Sequence, residues 1–159
     1  MKISEQTISA LGSIITGDGK LSPYRTGPQL IIFFNEFGSD DIYADGFPSR
    51  WRFAEEKLRE FNDSPVMKSI MVTAFDPRHF LGTQFNIVAA VEQINQFLEF
   101  DGYELKPMGK KWDFGPGPHT PAQAKLQGKE ILECITCGTS RAPTVQLYVF
   151  PQLIKPAPN

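Results

Sequence analysis

Five stretches between residues 4 and 100 repeat apolar side chains at helical spacing, and each is cut short by glycine or proline. This pattern constrains the fold most, because an amphipathic helix must bury its apolar face against a partner. The first stretch runs from about Ser4 to Thr16, with Ser4 placed to cap it and Ile8, Leu11, Ile14 and Ile15 on one side. "GDGKLSP" ends it. The second lies within "YRTGPQLIIFFNEFG", with Thr26 as cap and Pro28 in the first turn, where a missing N–H costs nothing. Gly38 is placed to close that helix in the left-handed conformation. "SDDIYADGFP" is a loop by composition. Ser49 opens the third stretch, "SRWRFAEEKLREFN", in which Trp51, Phe53, Ala54, Leu58 and Phe61 predict a broad apolar face. Ser64 and Pro65 restart the chain as "PVMKSIMVTAF", stopped by Asp76-Pro77 because the residue before proline avoids helical angles. The fifth spans about Gln84 to Phe100, with Ile87, Val91, Ile94 and Leu98 in a stripe ahead of Gly102.

Beyond Gly102 the period changes. "YELKPMGKKWDF" alternates apolar residues and lysines around a turn at Met108-Gly109, the pattern of a β-hairpin. The predicted fold is therefore α+β: a mostly helical N-terminal part, then a winged-helix-like helix plus hairpin from about Gln84 to Phe114. A C-terminal strand-containing tail follows. Residues 1–115 form the domain, and residues 116–159 open with the linker "GPGPHTP". The tail carries a short helix near Ala122 to Gln127 and two strand candidates, "EILECIT" and "TVQLYVFP", or it is the start of a further region.

A chain of 159 residues is long enough for a real core, with roughly two thirds of its unfolded surface removed from water. Its 41% hydrophobic and 21% charged residues argue against global disorder. Thirteen phenylalanines call for an aromatic-rich core or an aromatic binding surface. Charge is uneven: residues 1–101 hold 9 Lys+Arg against 14 Asp+Glu, net −5, and residues 102–159 hold 7 against 4, net +3. An acidic body disfavours indiscriminate nucleic-acid binding. No run of 18 apolar residues offers a membrane span, and the polar N-terminus does not read as a signal peptide. With two cysteines only, the expected compartment is the cytoplasm, with reduced thiols.

The sequence nominates no catalytic residue, cofactor or metal. Cys134 and Cys137 have the spacing of one zinc knuckle, but a structural zinc needs four ligands and the only histidines, His79 and His119, are not paired. Two such chains sharing one zinc is the single way out. "TGDGKLS" lacks the first glycine and the Ser or Thr of a phosphate loop. "DPRHF" brings Asp76, Arg78 and His79 together, which suits an ion-pairing corner as well as proton transfer. Asp40, Asp41 and Asp45 lack the spacing of a calcium loop. For nucleic acid the strongest signal is the hairpin, where Lys106, Lys110 and Lys111 flank Trp112, although a solvated hairpin with its Trp in the core explains the same residues.

The segments "YRTGPQLIIFFNEFG", "GFPSRW" leading into "EEKLREFND", "FDPRHF" and "EQINQFLEFDGYEL", read in series, resemble the third type of AbiJ N-terminal domain. That family belongs to bacterial abortive-infection (antiphage) proteins, and the resemblance covers about residues 8–115. It implies a recognition module that senses invasion and signals to an effector, often a HEPN-type ribonuclease. Tyr24, Arg25, Asn35, Phe47, Pro48, Ser49, Arg50 and Trp51 match its most distinctive motifs. No arginine–histidine pair has the HEPN spacing, since Arg78 and His79 are adjacent, so the resemblance implies an isolated module or a piece of something longer.

Tyr24, Arg25, Asn35, Arg50 and Trp51 are thus the candidate ligand-binding residues. Arg25 and Arg50 each lie immediately outside a helix start, and both are expected on one side of the domain, where helix N-termini and guanidiniums together attract an anion. The competing expectation is structural: Arg25 pairs with Glu36 or Asp45, and the aromatic residues pin the loops.

Overall fold

Ser4 caps the first helix as its sequence predicts, its hydroxyl accepting from Thr7 N at 3.4 Å. The computed structural model describes residues 1–117, so the tail strands, Cys134 and Cys137 lie outside the described residues. Among the described residues the chain forms α1 (Glu5–Thr16), α2 (Gly27–Asn35), α3 (Arg50–Phe61) and α4 (Val66–Ala74). A 3-10 turn (Pro77–His79), α5 (Ile87–Asp101) and an antiparallel hairpin of β1 (Tyr103–Met108) and β2 (Lys111–Pro116) complete it. This is the predicted α+β arrangement, with a helical N-terminal part and a helix-plus-hairpin unit behind it.

Boundaries follow the caps. α5 begins at Ile87, where its apolar stripe begins and three residues after the predicted start near Gln84, because the Asn86 side chain accepts from Val88 N at 2.9 Å and leaves Gln84 and Phe85 outside. Gly102, at φ 80°, closes that helix. α2 stops at Asn35, and Gly38, at φ 92°, turns the chain only afterwards. In the hairpin the two-residue link is Gly109-Lys110, one residue later than the predicted turn, with φ 62° at Gly109. Glycine first in a two-residue link is what a type II′ turn requires.

The core is built from the predicted apolar stripes. Phe34, Phe75 and Phe114 are among its largest fully buried side chains, alongside Ile8, Leu11, Leu58 and Ile94. α1 packs on α3 and α5, β1 lies on α5, and β2 lies on α4. Leu105 and Phe114 face each other across the hairpin and turn inward. Most of the phenylalanines serve the core, though Phe100 stands 89% exposed.

Polar clamps join elements far apart in sequence. The Asp101 carboxylate, at the end of α5, accepts from Ser4 N (3.0 Å) and Thr7 Oγ1 (2.6 Å), placing an anion at the positive end of α1. Asn62 brackets Ile3 with two hydrogen bonds of 3.0 Å, and Asn95 does the same for Leu105 at 2.9 and 3.0 Å.

Gly17 ends α1 at φ 79°, and a Cβ there would meet Pro23 O and Tyr24 Cα at 2.6 Å. Both neighbours are backbone and cannot swing aside. Gly17→Ala should therefore cost at least about 2 kcal/mol, from left-handed strain plus the clash. Thermal unfolding should show the loss as a fall of roughly 5–15 °C; an unchanged transition would refute the close approach.

Candidate functional site

An α-helix leaves its last four carbonyls without intrahelical partners, at the negative end of its dipole. At the end of α1 these carbonyls are all answered. Gly17 N donates to Ser13 O at 3.1 Å, and the Ser22 hydroxyl donates to Ile14 O. Arg25 Nη1 donates to Ile15 O at 2.7 Å. Thr16 O accepts from Arg25 N at 3.1 Å and from Arg50 Nη1 at 3.0 Å. Arg50 Nη1 also reaches Arg25 O at 2.7 Å, and its Nη2 forms an ion pair with Asp18. The two arginines do lie on one side of the domain. They are held there by a helix C-terminus, where cations are favoured, rather than by the helix starts beside which they sit in sequence.

Arg25 does not pair with Glu36 or Asp45. Its Nη2 lies 3.1 Å from His79 Nδ1 and its guanidinium lies 5.2 Å from the centre of the Phe33 ring. Arginine only donates, so His79 must accept through Nδ1 and carry its proton on Nε2. Burial, then the nearby Arg25 charge, lowers the pKa of His79, with Asp76 and Glu36 opposing and Arg78 adding to the shift. Asp76 is held at about 2 by its hydrogen bonds from Arg78, the shortest 2.5 Å. "DPRHF" is thus an ion-pairing corner that backs Arg25.

Arg50 does a second thing: its guanidinium lies over the Tyr24 ring, 3.7 Å from the centroid. Tyr24 and Arg50 wall an open cleft of ≈ 700 Å³ between the starts of α2 and α3. Trp51, Tyr43 and Phe47 complete its aromatic lining, with Pro48 beside them. Tyr24 is 60% exposed, and Tyr43 and Trp51 are each 54% exposed. Trp51 therefore does not belong to the buried face of α3, which consists of Phe53, Ala54 and Leu58; it sits in the first turn, before that helix meets its neighbours. The cleft rests on the core through a series of edge-to-face and tilted ring contacts: Phe34–Phe53 at 5.8 Å, Phe53–Phe47 at 4.8 Å and Phe47–Tyr43 at 5.0 Å. Gly27 makes room for this, since a Cβ on it would meet the Tyr43 ring at 2.6 Å. Neither wall hydroxyl, Thr26 or Ser49, bonds a histidine or a carboxylate among the described residues; Thr26 Oγ1 bonds Gln29 Oε1 at 3.1 Å. The cleft offers stacking planes and hydrogen-bond donors.

Of the five candidates, the cleft gathers Tyr24, Arg50 and Trp51. Arg25 lies behind it, in the α1 cap. Asn35 is at the opposite end of α2, roughly 12 Å along the helix axis, where it clamps Asp41 by bonds of 3.0 and 3.1 Å. On the hairpin, Trp112 packs half-buried against the core, and Lys106 lies 3.3 Å from Glu104. Lys110 and Lys111, at the exposed tip, form no ion pair among the described residues. Sequence reasoning missed Tyr43 and Asp18. The signal for Tyr43 was two aromatics four apart in a loop otherwise rich in Asp and Gly. Asp18 carried none, because its role depends on a residue 32 positions away.

Among the described residues no group of three or more His, Cys, Asp or Glu could hold a metal, and no helix is long and apolar enough to cross a membrane. No protein-family profile, curated protein or solved structure matches the chain.

Two outcomes follow from the α1 cap. Arg50→Ala removes the side-chain donor from Arg25 O and leaves Thr16 O with Arg25 N alone, and should cost about 1–3 kcal/mol in chemical denaturation. Arg50→Lys should recover only part of this, because one ammonium cannot reproduce the fork. Stability should also fall as pH drops from about 7 to 5. His79 has a lowered pKa in the folded chain, so below its ordinary value near 6.5 the unfolded chain binds the extra proton. His79→Gln, neutral throughout, should flatten that part of the profile while leaving the acid limb near pH 2–4, set by Asp76, in place. An unaltered profile would show that His79 does not sense the cap.

Proposed function

We propose that this chain is a non-catalytic sensor and interaction module of a bacterial antiphage abortive-infection system, working in the cytoplasm. Its cleft between the starts of α2 and α3 takes an invasion-linked ligand, and binding is relayed to an effector domain or protein. A HEPN-type ribonuclease is the effector class that the AbiJ resemblance suggests. The observation that carries the binding part is the exposure of three large aromatics, Tyr24, Tyr43 and Trp51, around one cleft backed by packed aromatic rings. Aromatic side chains kept in solvent on loops and first turns, above a packed scaffold, are the usual furniture of recognition. The defence context comes from the sequence resemblance alone.

A second reading rests on Lys110 and Lys111 at the hairpin tip, which could track a phosphate backbone as a winged-helix nucleic-acid binder does. Against it, Glu104 and Asp113 share the hairpin with Lys106, Lys110 and Lys111, leaving 3 − 2 = +1 between Tyr103 and Pro116.

Trp51→Ala should change unfolding stability by less than about 1 kcal/mol, since the ring is half in solvent. In bacteria carrying the whole gene it should abolish phage protection. Protection retained by that variant, with normal protein levels, would sink the cleft as the recognition surface. Lys110→Glu with Lys111→Glu should leave protection intact. If it instead removes a salt-sensitive retention on DNA or RNA, the hairpin reading takes over.

A further inference from the structure

Resting on that reading, we propose that the cleft takes an extended, basic, proline-bearing polypeptide segment. Shape gives the first argument. The ≈ 700 Å³ cleft continues past Asp18 and Trp51 into a hollow of ≈ 340 Å³ against α1. On its other side it continues past Phe47 and Pro48 into one of ≈ 430 Å³ along α3. Three hollows in series, an aromatic one in the middle and a smaller one on each side, suit a strand-like occupant rather than a compact molecule.

Charge selects the class. The trough is lined by six carboxylates (Asp18, Asp41, Asp45, Glu55, Glu56, Glu60) and two cations (Arg50, Lys57), 2 − 6 = −4. Arg50 is committed to Asp18, and Lys57 to Asp41 (2.8 Å) and Glu60 (3.0 Å). At the margin Arg52 pairs with Glu56 (3.0 Å) and Arg59 with Glu55 (2.9 Å), so the local balance is 4 − 6 = −2, and Asp45 alone of the six has no ion pair among the described residues. A single-stranded nucleic acid also stacks on aromatics, but it needs a positive groove for its phosphates. This groove repels them and draws lysine and arginine.

Hydrogen bonding selects the backbone. The Tyr24 and Tyr43 hydroxyls and the Trp51 indole N–H make no hydrogen bond among the described residues, so the middle of the trough presents donors. A polyproline II segment carries no internal hydrogen bonds and keeps its carbonyls free to accept. Proline brings such a carbonyl without an N–H that would need an acceptor, and its ring lies flat on an aromatic face. Arg50 already covers one face of Tyr24, which leaves Trp51 and Tyr43 as the planes for the prolines and the carboxylate-lined ends for the flanking cations.

The test pans a random peptide display library on the intact chain and on its Trp51→Ala variant. A labelled copy of the most enriched peptide is then titrated by fluorescence anisotropy. The expected result is enrichment of sequences with prolines beside lysine or arginine, and affinity that falls roughly thirtyfold in Trp51→Ala. Affinity should also weaken as salt rises and drop when the prolines are replaced by alanine. No enrichment, proline-free or acidic winners, equal binding by Trp51→Ala, or tighter binding of a single-stranded oligonucleotide would each overturn the assignment. If Trp51→Ala abolishes phage protection while no such peptide is selected, the cleft stands as the recognition surface and only its ligand is misassigned. Protection retained by Trp51→Ala defeats the functional reading itself.

Discussion

The carboxyl end of α1 is the point on which the rest of this domain depends. A helix of 12 residues must leave four carbonyls exposed at its end, and here that end is covered by the chain that follows. Covering it without answering the carbonyls would cost on the order of 1–3 kcal/mol for each. The chain answers them with Ser22, the Arg25 backbone and two guanidiniums, drawn from the entry to α2 and the first turn of α3. Arg50 also grips Arg25 O, so one side chain ties three helices together. The placement of arginines beside two helix starts, puzzling when those helices are considered alone, follows from the needs of a third.

The same joint sets up the cleft. Gly17 lets the backbone at Pro23 and Tyr24 pass close over the end of α1, which delivers Tyr24 to the surface beside Arg50. From the other side, the ring series Phe34, Phe53, Phe47 and Tyr43 carries the rigidity of the core outward through a loop that would otherwise have little to hold it. Edge-to-face and tilted ring pairs of this kind add about 0.5–1.5 kcal/mol each beyond the area they bury. Rigid backing matters for binding, because an aromatic already held in position loses less conformational freedom when a partner arrives.

Local physics made most of the fold legible. The apolar stripes, Ser4, Thr26 and Pro28 fix where helices form, and the change from helical period to alternation at Tyr103 marks the hairpin. Each of those signals acts over a few residues. What the sequence hid is the choice among distant partners. Arg25 had two carboxylates at plausible range, Glu36 and Asp45, and took the Ile15 carbonyl and His79 instead, because the loop passes over the end of α1. Asn35, the last residue of α2, was a candidate ligand contact by its place in the motif, and its side chain clamps its own loop at Asp41, a common use of Asn at a turn. Trp51 fell on the apolar side of a helical wheel, yet a wheel cannot tell that the first turn of α3 projects past the helices it packs against. For the cleft, sequence alone supplied Tyr24, Arg50 and Trp51 but not what brings them together.

Exposure of Tyr24, Tyr43 and Trp51 is costly enough to need a reason. Each keeps roughly half or more of its surface in water, forgoing part of the 1.5–3 kcal/mol that burying a large apolar side chain contributes. Scattered single hydrophobes on a surface are ordinary, but three aromatics around one cleft are a patch. The hydrophobic face of α3 shows the alternative was open: three residues along, Ala54 is fully buried against the core. Nothing in the α1 cap requires the rings either, since Arg50 is already fixed by Thr16 O, Arg25 O and Asp18 without Tyr24. The cap therefore explains where the arginines sit, and the inner faces of Tyr24 and Tyr43 have packing partners in Arg50 and Phe47; the outward surfaces of the three rings have none among the described residues, which is the physical ground for proposing a partner.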